Sequence, residues 1–306
     1  MKEIKSQKDY KPANYKSINI VSSIKGGSGK TALAMSIAAA HRMNIIAKLR
    51  WDIILSGGVL TPEIEADLTV KAAALAENVA YVECDTNLSD FYNAFAKKDE
   101  NGIILPESQQ PKNLRKIKLS SASQQAEFVE IASADKYNFN TIIYNIKADD
   151  TDSFKKLVEP CSELIEMFLG EGYECVNIWS PITTDLETLT SIDMHYKMFG
   201  DSANYIAAYN RHFLPTNPDE YDQFGTEAIF KGDYEYPGFK TPYHKMKKAG
   251  VLKEVDLSDI THEVYKNIRM SKMNFSEVNK KNSGILANSR VNSLVNKFTD
   301  SIIDII

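Results

Sequence analysis

The sequence predicts an α/β fold, a mostly parallel twisted sheet with helices on both faces. Three observations point there. Short β-branched runs with no helical period recur along the chain, and runs of helix formers alternate with them. A glycine loop sits between the first strand and the first helix. The 306 residues are 43% hydrophobic and 25% charged, ordinary values for a globular chain long enough to bury a core unaided. At roughly 150 residues per domain, one large domain or two small ones would fit. We read residues 1–306 as one, with insertions near 43–67 and 97–123 and a less regular, basic C-terminal region over 215–306.

Ile18-Asn19-Ile20-Val21-Ser22 opens the pattern as a short buried strand. Glycines follow at once, and Thr31–His41 supplies strong helix formers. Ser56-Gly57-Gly58 and Thr61-Pro62 are turn signals inside the insertion at 43–67. Leu68–Asn78 is Ala-rich and helical, and it feeds the strand Val79–Cys84. Residues 97–113, with Gly102, Pro106 and Pro111, read as loop, and Gln124–Ala134 as helix. Thr141–Asn145 is the third strand, followed by a helix over Ser153–Leu169 in which Pro160 is the candidate break. Cys175–Trp179 is the fourth strand, stopped by Ser180-Pro181; a helix over Leu186–Met198 leads to the fifth, Tyr205–Tyr209. After Phe213 the pattern loosens around Pro215, Pro218, Pro237 and Pro242. Val291, Leu294, Val295, Phe298 and Ile302 then fall on one helical stripe.

Cys84, Cys161 and Cys175 are too few and too scattered for a disulfide scaffold or a paired-cysteine metal site. Residues 1–16 are a polar, basic arm with no apolar run, and no stretch approaches the roughly 18 apolar residues of a membrane span. The expectation is a soluble, cytoplasmic protein. The net charge of −5 conceals a split: between Lys240 and Lys297, 12 Lys/Arg stand against 5 Asp/Glu, while residues 1–239 carry a net −10. A basic segment on an acidic body is either a footprint for nucleic acid or a solvated helical surface. The C-terminal stripe reads as core packing or a partner contact. A membrane-surface helix wants bases on its polar face, and the last nine residues hold Asp300 and Asp304 with none.

The most informative run is Lys25-Gly26-Gly27-Ser28-Gly29-Lys30-Thr31. Backbone N–H groups of a glycine loop can surround a phosphate only where no Cβ blocks the approach. A helix starting near Lys30 points its positive dipole end at the same place. Lys30 offers a point charge to the β- and γ-phosphates, and Thr31 a hydroxyl to Mg²⁺. The standard G-x-x-x-x-G-K-[ST] pattern fails at one position, where Ile24 stands, and a lysine heads the loop instead. The alternative is a chance glycine turn; the strand before and the Ala-rich helix after it count against that.

With that additional lysine, the chain resembles the deviant-Walker-A ATPases, the family of the ParA plasmid-partition and MinD cell-division proteins. The resemblance covers about residues 17–215 and implies a P-loop NTPase fold. It implies binding of ATP and Mg²⁺, slow hydrolysis, and a homodimer formed on ATP binding in which Lys25 reaches the partner's phosphates. By the same resemblance, Lys25, Gly26, Gly27, Ser28, Gly29, Lys30, Thr31 and Ala32 hold the nucleotide, with Lys25 and Lys30 catalytic.

Three further stretches compare with the family. Its D-x-D-P-Q motif corresponds to Glu83-Cys84-Asp85-Thr86-Asn87, which makes Asp85 the water-orienting carboxylate and, with Thr31, a metal contact; Thr86 replaces the proline. Read from its position alone, Asp85 ends a strand beside a phosphate loop and is either a cap or a holder of water and hydrated Mg²⁺. The family's Y-D-x-I-I-I-D strand corresponds to Phe139–Asn145, so Asn145 stands where the aspartate is expected, with Asp149 and Asp150 nearby. Tyr205–Arg211 resembles the late strand ending in Asn-Arg, in which Asn210 reads the adenine edge and Arg211 adjoins the nucleotide.

These comparisons imply a nucleotide-dependent dimerisation switch in plasmid or DNA partition or transfer. The basic segment 240–297 would contact DNA or a DNA-bound adaptor protein. Two alternatives stay open. One is a small-molecule kinase or synthetase on the same loop, although His41, His195, His212, His244 and His262 are scattered and mark no acceptor site. The other is a binding module whose ATPase has decayed, as Thr86 and Asn145 suggest.

Overall fold

The computed structural model describes residues 15–75, 78–148, 150–183, 185–213, 246, 248–257, 262–275, 277, 285–302 and 305. Seven strands form one sheet: β1 (Ser17–Val21), β2 (Val79–Glu83), β3 (Leu114–Lys116), β4 (Thr141–Asn145), β5 (Cys175–Ile182), β6 (Asn204–Asn210) and β7 (Leu252–Leu257). Their order is β3-β2-β4-β1-β5-β6-β7, and every pairing is parallel. This is the α/β fold that the alternating pattern predicts.

Parallel strands need covered crossovers, so both faces carry helices. On one face Ile18, Ile20, Ile142 and Tyr144 pack with α4 (Ala122–Glu130), α6 (Ser162–Gly170) and α7 (Leu186–Phe199), through Phe128, Phe168 and Ile192. On the other, Val21, Ile143 and Trp179 pack with α1 (Lys30–Leu55), α3 (Asp90–Phe95), α8 (His262–Met270) and α9 (Ile285–Ile302). Ile142 and Ile143 going to opposite layers is the period of two expressed as burial. Helices α2 (Pro62–Leu75) and the one-turn α5 (Phe154–Leu157) complete the set introduced here.

The structure differs from the sequence expectation in several elements. The helix read at Thr31–His41 runs on to Leu55, through most of the expected insertion at 43–67; it stops only at Ser56-Gly57-Gly58, with Gly57 at φ 80. The next helix begins at Pro62, where a proline suits a first turn. Within the expected insertion 97–123, Leu114–Lys116 is an edge strand, and α3 and β7 were not legible at all. β5 does not stop at Ser180-Pro181 but continues to Ile182. The reason is register. The Trp179 carbonyl accepts from Ser22 N–H at 3.0 Å, so the amide that Pro181 lacks would face the same side, beyond the end of β1. There it has no ladder partner to lose.

Pro160 does break its helix, separating α5 from α6. The C-terminal stripe is core: Val291, Leu294, Val295, Phe298 and Ile302 are all buried, with the Phe298 ring 6.2 Å from that of Trp179. Among the described residues no helix is long and apolar enough to cross a membrane. The arm 1–14, Asp149, Pro215, Pro218, Pro237 and Pro242 lie outside the described residues, as do 240–245, 247, 258–261, 276 and 278–284 of the basic segment.

Candidate functional site

Register brings the candidate residues to one edge. Val21 pairs with Asn145 and Trp179, and Asn145 pairs with Glu83, so β1, β2 and β4 deliver their last residues side by side, with Trp179 of β5 alongside. In parallel α/β sheets ligands bind outside these carboxyl ends.

The loop from Ser22 to Gly29 is fixed from behind. Ser22 Oγ lies 3.1 Å from His195 Nε2, and Ser191 Oγ accepts from Ile24 N–H at 3.0 Å, so α7 backs the turn. Gly27 (φ 76) and Gly29 (φ 98) take left-handed conformations open to glycine at little cost. A Cβ on Gly29 would also collide with Asn210 Nδ2, whereas Cβ atoms on Gly26 or Gly27 would meet nothing but open space. Gly29 caps α1 without a side-chain acceptor, which leaves the first-turn N–H groups for an anion.

A pocket of about 320 Å³ opens over this turn. Gly26, Gly27, Gly29, Lys30, Thr31 and Ala32 form its floor, and Asp85 and Asn210 flank it. Lys30 is buried, and its ammonium donates back to the Lys25 carbonyl at 3.0 Å. Ser28 turns inward, its hydroxyl donating to the same carbonyl at 3.2 Å.

Beside Thr31 stands a buried polar network. Asn145 Nδ2 donates to Glu83 Oε1 at 2.9 Å and lies 3.4 Å from Thr31 Oγ1. Glu83 also accepts from Asp85 N–H at 3.0 Å, and its other oxygen accepts from Phe91 N–H at 3.0 Å and Tyr92 N–H at 3.3 Å. One carboxylate thus ties the loop after β2 to the start of α3 and to β4. Burial pushes Glu83 up to about 7, against the pull of these donors. Asp85 Oδ1 and Asn145 Oδ1 are buried with no partner. Two orphaned acceptors beside a threonine hydroxyl fit a hydrated Mg²⁺, which takes few protein ligands and keeps water or phosphate oxygens. Among the described residues no group of three or more His, Cys, Asp or Glu gathers to hold a metal by itself.

Three candidates are engaged by other groups of the protein. The Asn210 carboxamide donates to Ser28 O at 3.0 Å, which braces the loop, and accepts from His212 N–H at 3.1 Å in its own turn after β6. Arg211 pairs with Asp256 at 2.6 Å on β7. Lys25 leaves the pocket altogether and pairs with Asp185 at 2.8 Å and Glu187 at 3.3 Å, at the start of α7. The Asp185 hydrogen bond, then that of Glu187, raises its pKa.

The sequence missed the opposite wall. Leu88 and Asp90, His212 and Phe213, and Tyr265, Arg269 and Leu294 all line the pocket. Tyr265 and Arg269 are four residues apart on α8, a spacing that shares one helix face, but the signal appears only once that segment is read as a helix. His195 lies in the core and His41 is half-buried with a buried ring nitrogen; burial holds both down to about 4. In comparisons with known proteins, no family model and no curated protein matches this chain.

Proposed function

We propose that this chain is a P-loop ATPase of the deviant-Walker-A kind. It binds ATP with Mg²⁺, hydrolyses it slowly, and dimerises on ATP in plasmid or DNA partition or transfer. The observation that carries this reading is the glycine turn at the uncapped start of α1, which presents Lys30 and Thr31 to one pocket with an unpartnered Asp85 oxygen. Backbone N–H groups of Gly26–Thr31 would cradle the phosphates, and Lys30 would trade the Lys25 carbonyl for phosphate oxygens. Thr31 and Asp85 would hold Mg²⁺, which supplies neutralisation of phosphate charge. Asp85 would orient the attacking water. Asn145 brings no charge of its own, which agrees with slow turnover.

Lys25 supports the dimer half of the proposal. Its side chain is 40% exposed and directed out of its own pocket, where a second copy can meet it. The basic segment 240–297 is the DNA or adaptor face in this reading, and a cytoplasmic setting goes with it. One observation favours a second reading, phosphoryl transfer to a small acceptor: the pocket continues beyond the loop to His212 and Tyr265.

Sedimentation with and without ATP–Mg²⁺ tests the switch. Wild type should shift to a dimer with ATP, and Lys25→Ala should bind ATP yet stay monomeric. A wild-type profile that ATP leaves unchanged would reject the sandwich mechanism and leave the transfer reading standing.

A further inference from the structure

The wall facing the phosphate loop is carried by a helix that bridges the molecule. α8 follows β7, the strand at one edge of the sheet, yet it packs next to α3, which follows β2 near the other edge. Ile268 and Phe275 share the core layer of Phe91 and Ala94, and Asn274 Nδ2 donates to Ala94 O at 3.2 Å. The helix therefore lies in the layer of α1 and α3, and Tyr265 and Arg269 close the pocket whose floor includes Lys30 and Thr31.

Arg269 is held there by Asp90, Nη2 to Oδ2 at 2.7 Å, with its side chain 44% exposed. Asp90 lies in the first turn of α3, five residues after Asp85, so the guanidinium is on the Asp85 side of the pocket. A guanidinium has five N–H donors in a planar fork, and the Asp90 contact engages one nitrogen.

We propose that Arg269 binds the terminal phosphate of the nucleotide from within the same chain, exchanging its Asp90 ion pair for phosphate oxygens. The inference rests on the phosphate-loop reading. In that reading the terminal phosphate points towards Asp85, which is where Arg269 stands. A charged fork on that side distinguishes a triphosphate from a diphosphate, because the diphosphate has no oxygen there to receive it. Lys25, tied to Asp185 and Glu187, supplies no such contact within its own chain.

Isothermal titration of ATP–Mg²⁺ and ADP–Mg²⁺ into wild type, Arg269→Ala, Arg269→Lys, Asp90→Asn and Lys30→Ala tests this. Arg269→Ala should lower ATP affinity by about tenfold and leave ADP affinity unchanged, the loss of a charged hydrogen bond. Asp90→Asn frees the guanidinium, so ATP affinity should hold or rise. If Arg269→Ala fails to fold, Arg269→Lys still decides, since a point charge without the fork should reduce the ratio of ATP to ADP affinity. Equal losses for ATP and ADP, or an Asp90→Asn loss matching that of Arg269→Ala, would make the pair a structural strut and overturn the proposal. An unchanged Arg269→Ala beside a Lys30→Ala that no longer binds would overturn it and keep the phosphate loop. Unchanged ATP binding in Lys30→Ala would sink both.

Discussion

The floor of the pocket comes from one short run, Gly26–Ala32, whereas the facing wall gathers Asp90, Tyr265, Arg269 and Leu294 from three helices far apart in the chain. The floor takes its shape from its own backbone, left-handed glycines and a helix start, and is braced from behind by hydrogen bonds with Ser191 and Asn210. The facing wall owes its position to the packing of α9 and α8 on the core and to one ion pair at the rim. A half-exposed pair of that kind is worth about 0–1 kcal/mol. The difference teaches where order comes from on each side. Local chemistry shapes the floor, whereas the facing wall depends on distant packing and on an ion pair that an anion can compete for.

Removing the packing should break the comparison on the weaker side first. Phe298→Ala empties a fully buried site against Trp179 and should cost about 3–5 kcal/mol, read as a lower urea midpoint. A loss below about 1 kcal/mol would mean that α9 does not hold that wall. Next in size is Asp85→Ala, which should cut ATP turnover by about a hundredfold while ATP affinity stays near wild type. Loss of affinity with unaltered turnover at saturation would assign Asp85 to binding and remove it from the chemistry.

The smallest expected effect concerns Glu83, which joins the two sides through Asn145 and the start of α3. Its folded pKa, about 7, lies above its ordinary 4.5, so the folded state binds a proton that the unfolded state has released between those values. Glu83 therefore contributes stability that is present below pH 4.5 and fades as pH rises through 7. His41 and His195 work in the opposite sense, with folded pKa values of about 4 against 6.5, so their contribution fades as pH falls. The difference between wild type and Glu83→Gln isolates the carboxyl. Relative to the variant, wild type should lose on the order of 2 kcal/mol between pH 5 and pH 8, followed by thermal or urea melts. A constant difference across that range would show that Glu83 carries its charge throughout.

Legibility in the sequence follows the same division. Ile18–Ser22, Thr141–Asn145 and Tyr205–Tyr209 were readable because buried parallel strands are continuous apolar runs. The loop was readable because left-handed backbone and a helix start leave a local signature in Gly27, Gly29, Lys30 and Thr31. β7 escaped because Leu252–Leu257 is an edge strand with Lys253, Glu254 and Asp256 among its residues, which breaks the apolar run. Asn210 was legible as a pocket residue, but its brace on Ser28 depends on a contact 182 residues distant, which no local pattern encodes. Arg269 and Tyr265 were hidden for that reason too: their spacing matters only once α8 is known to stand beside α3.

The most direct test of the central claim, that the glycine turn binds a nucleoside triphosphate, is calorimetric titration of ATP–Mg²⁺ into wild type and Lys30→Ala. Wild type should bind saturably, and removing the buried ammonium should cost at least about tenfold in affinity, 1.4 kcal/mol. ATP affinity that is the same in both proteins, or no binding to wild type at all, would contradict it.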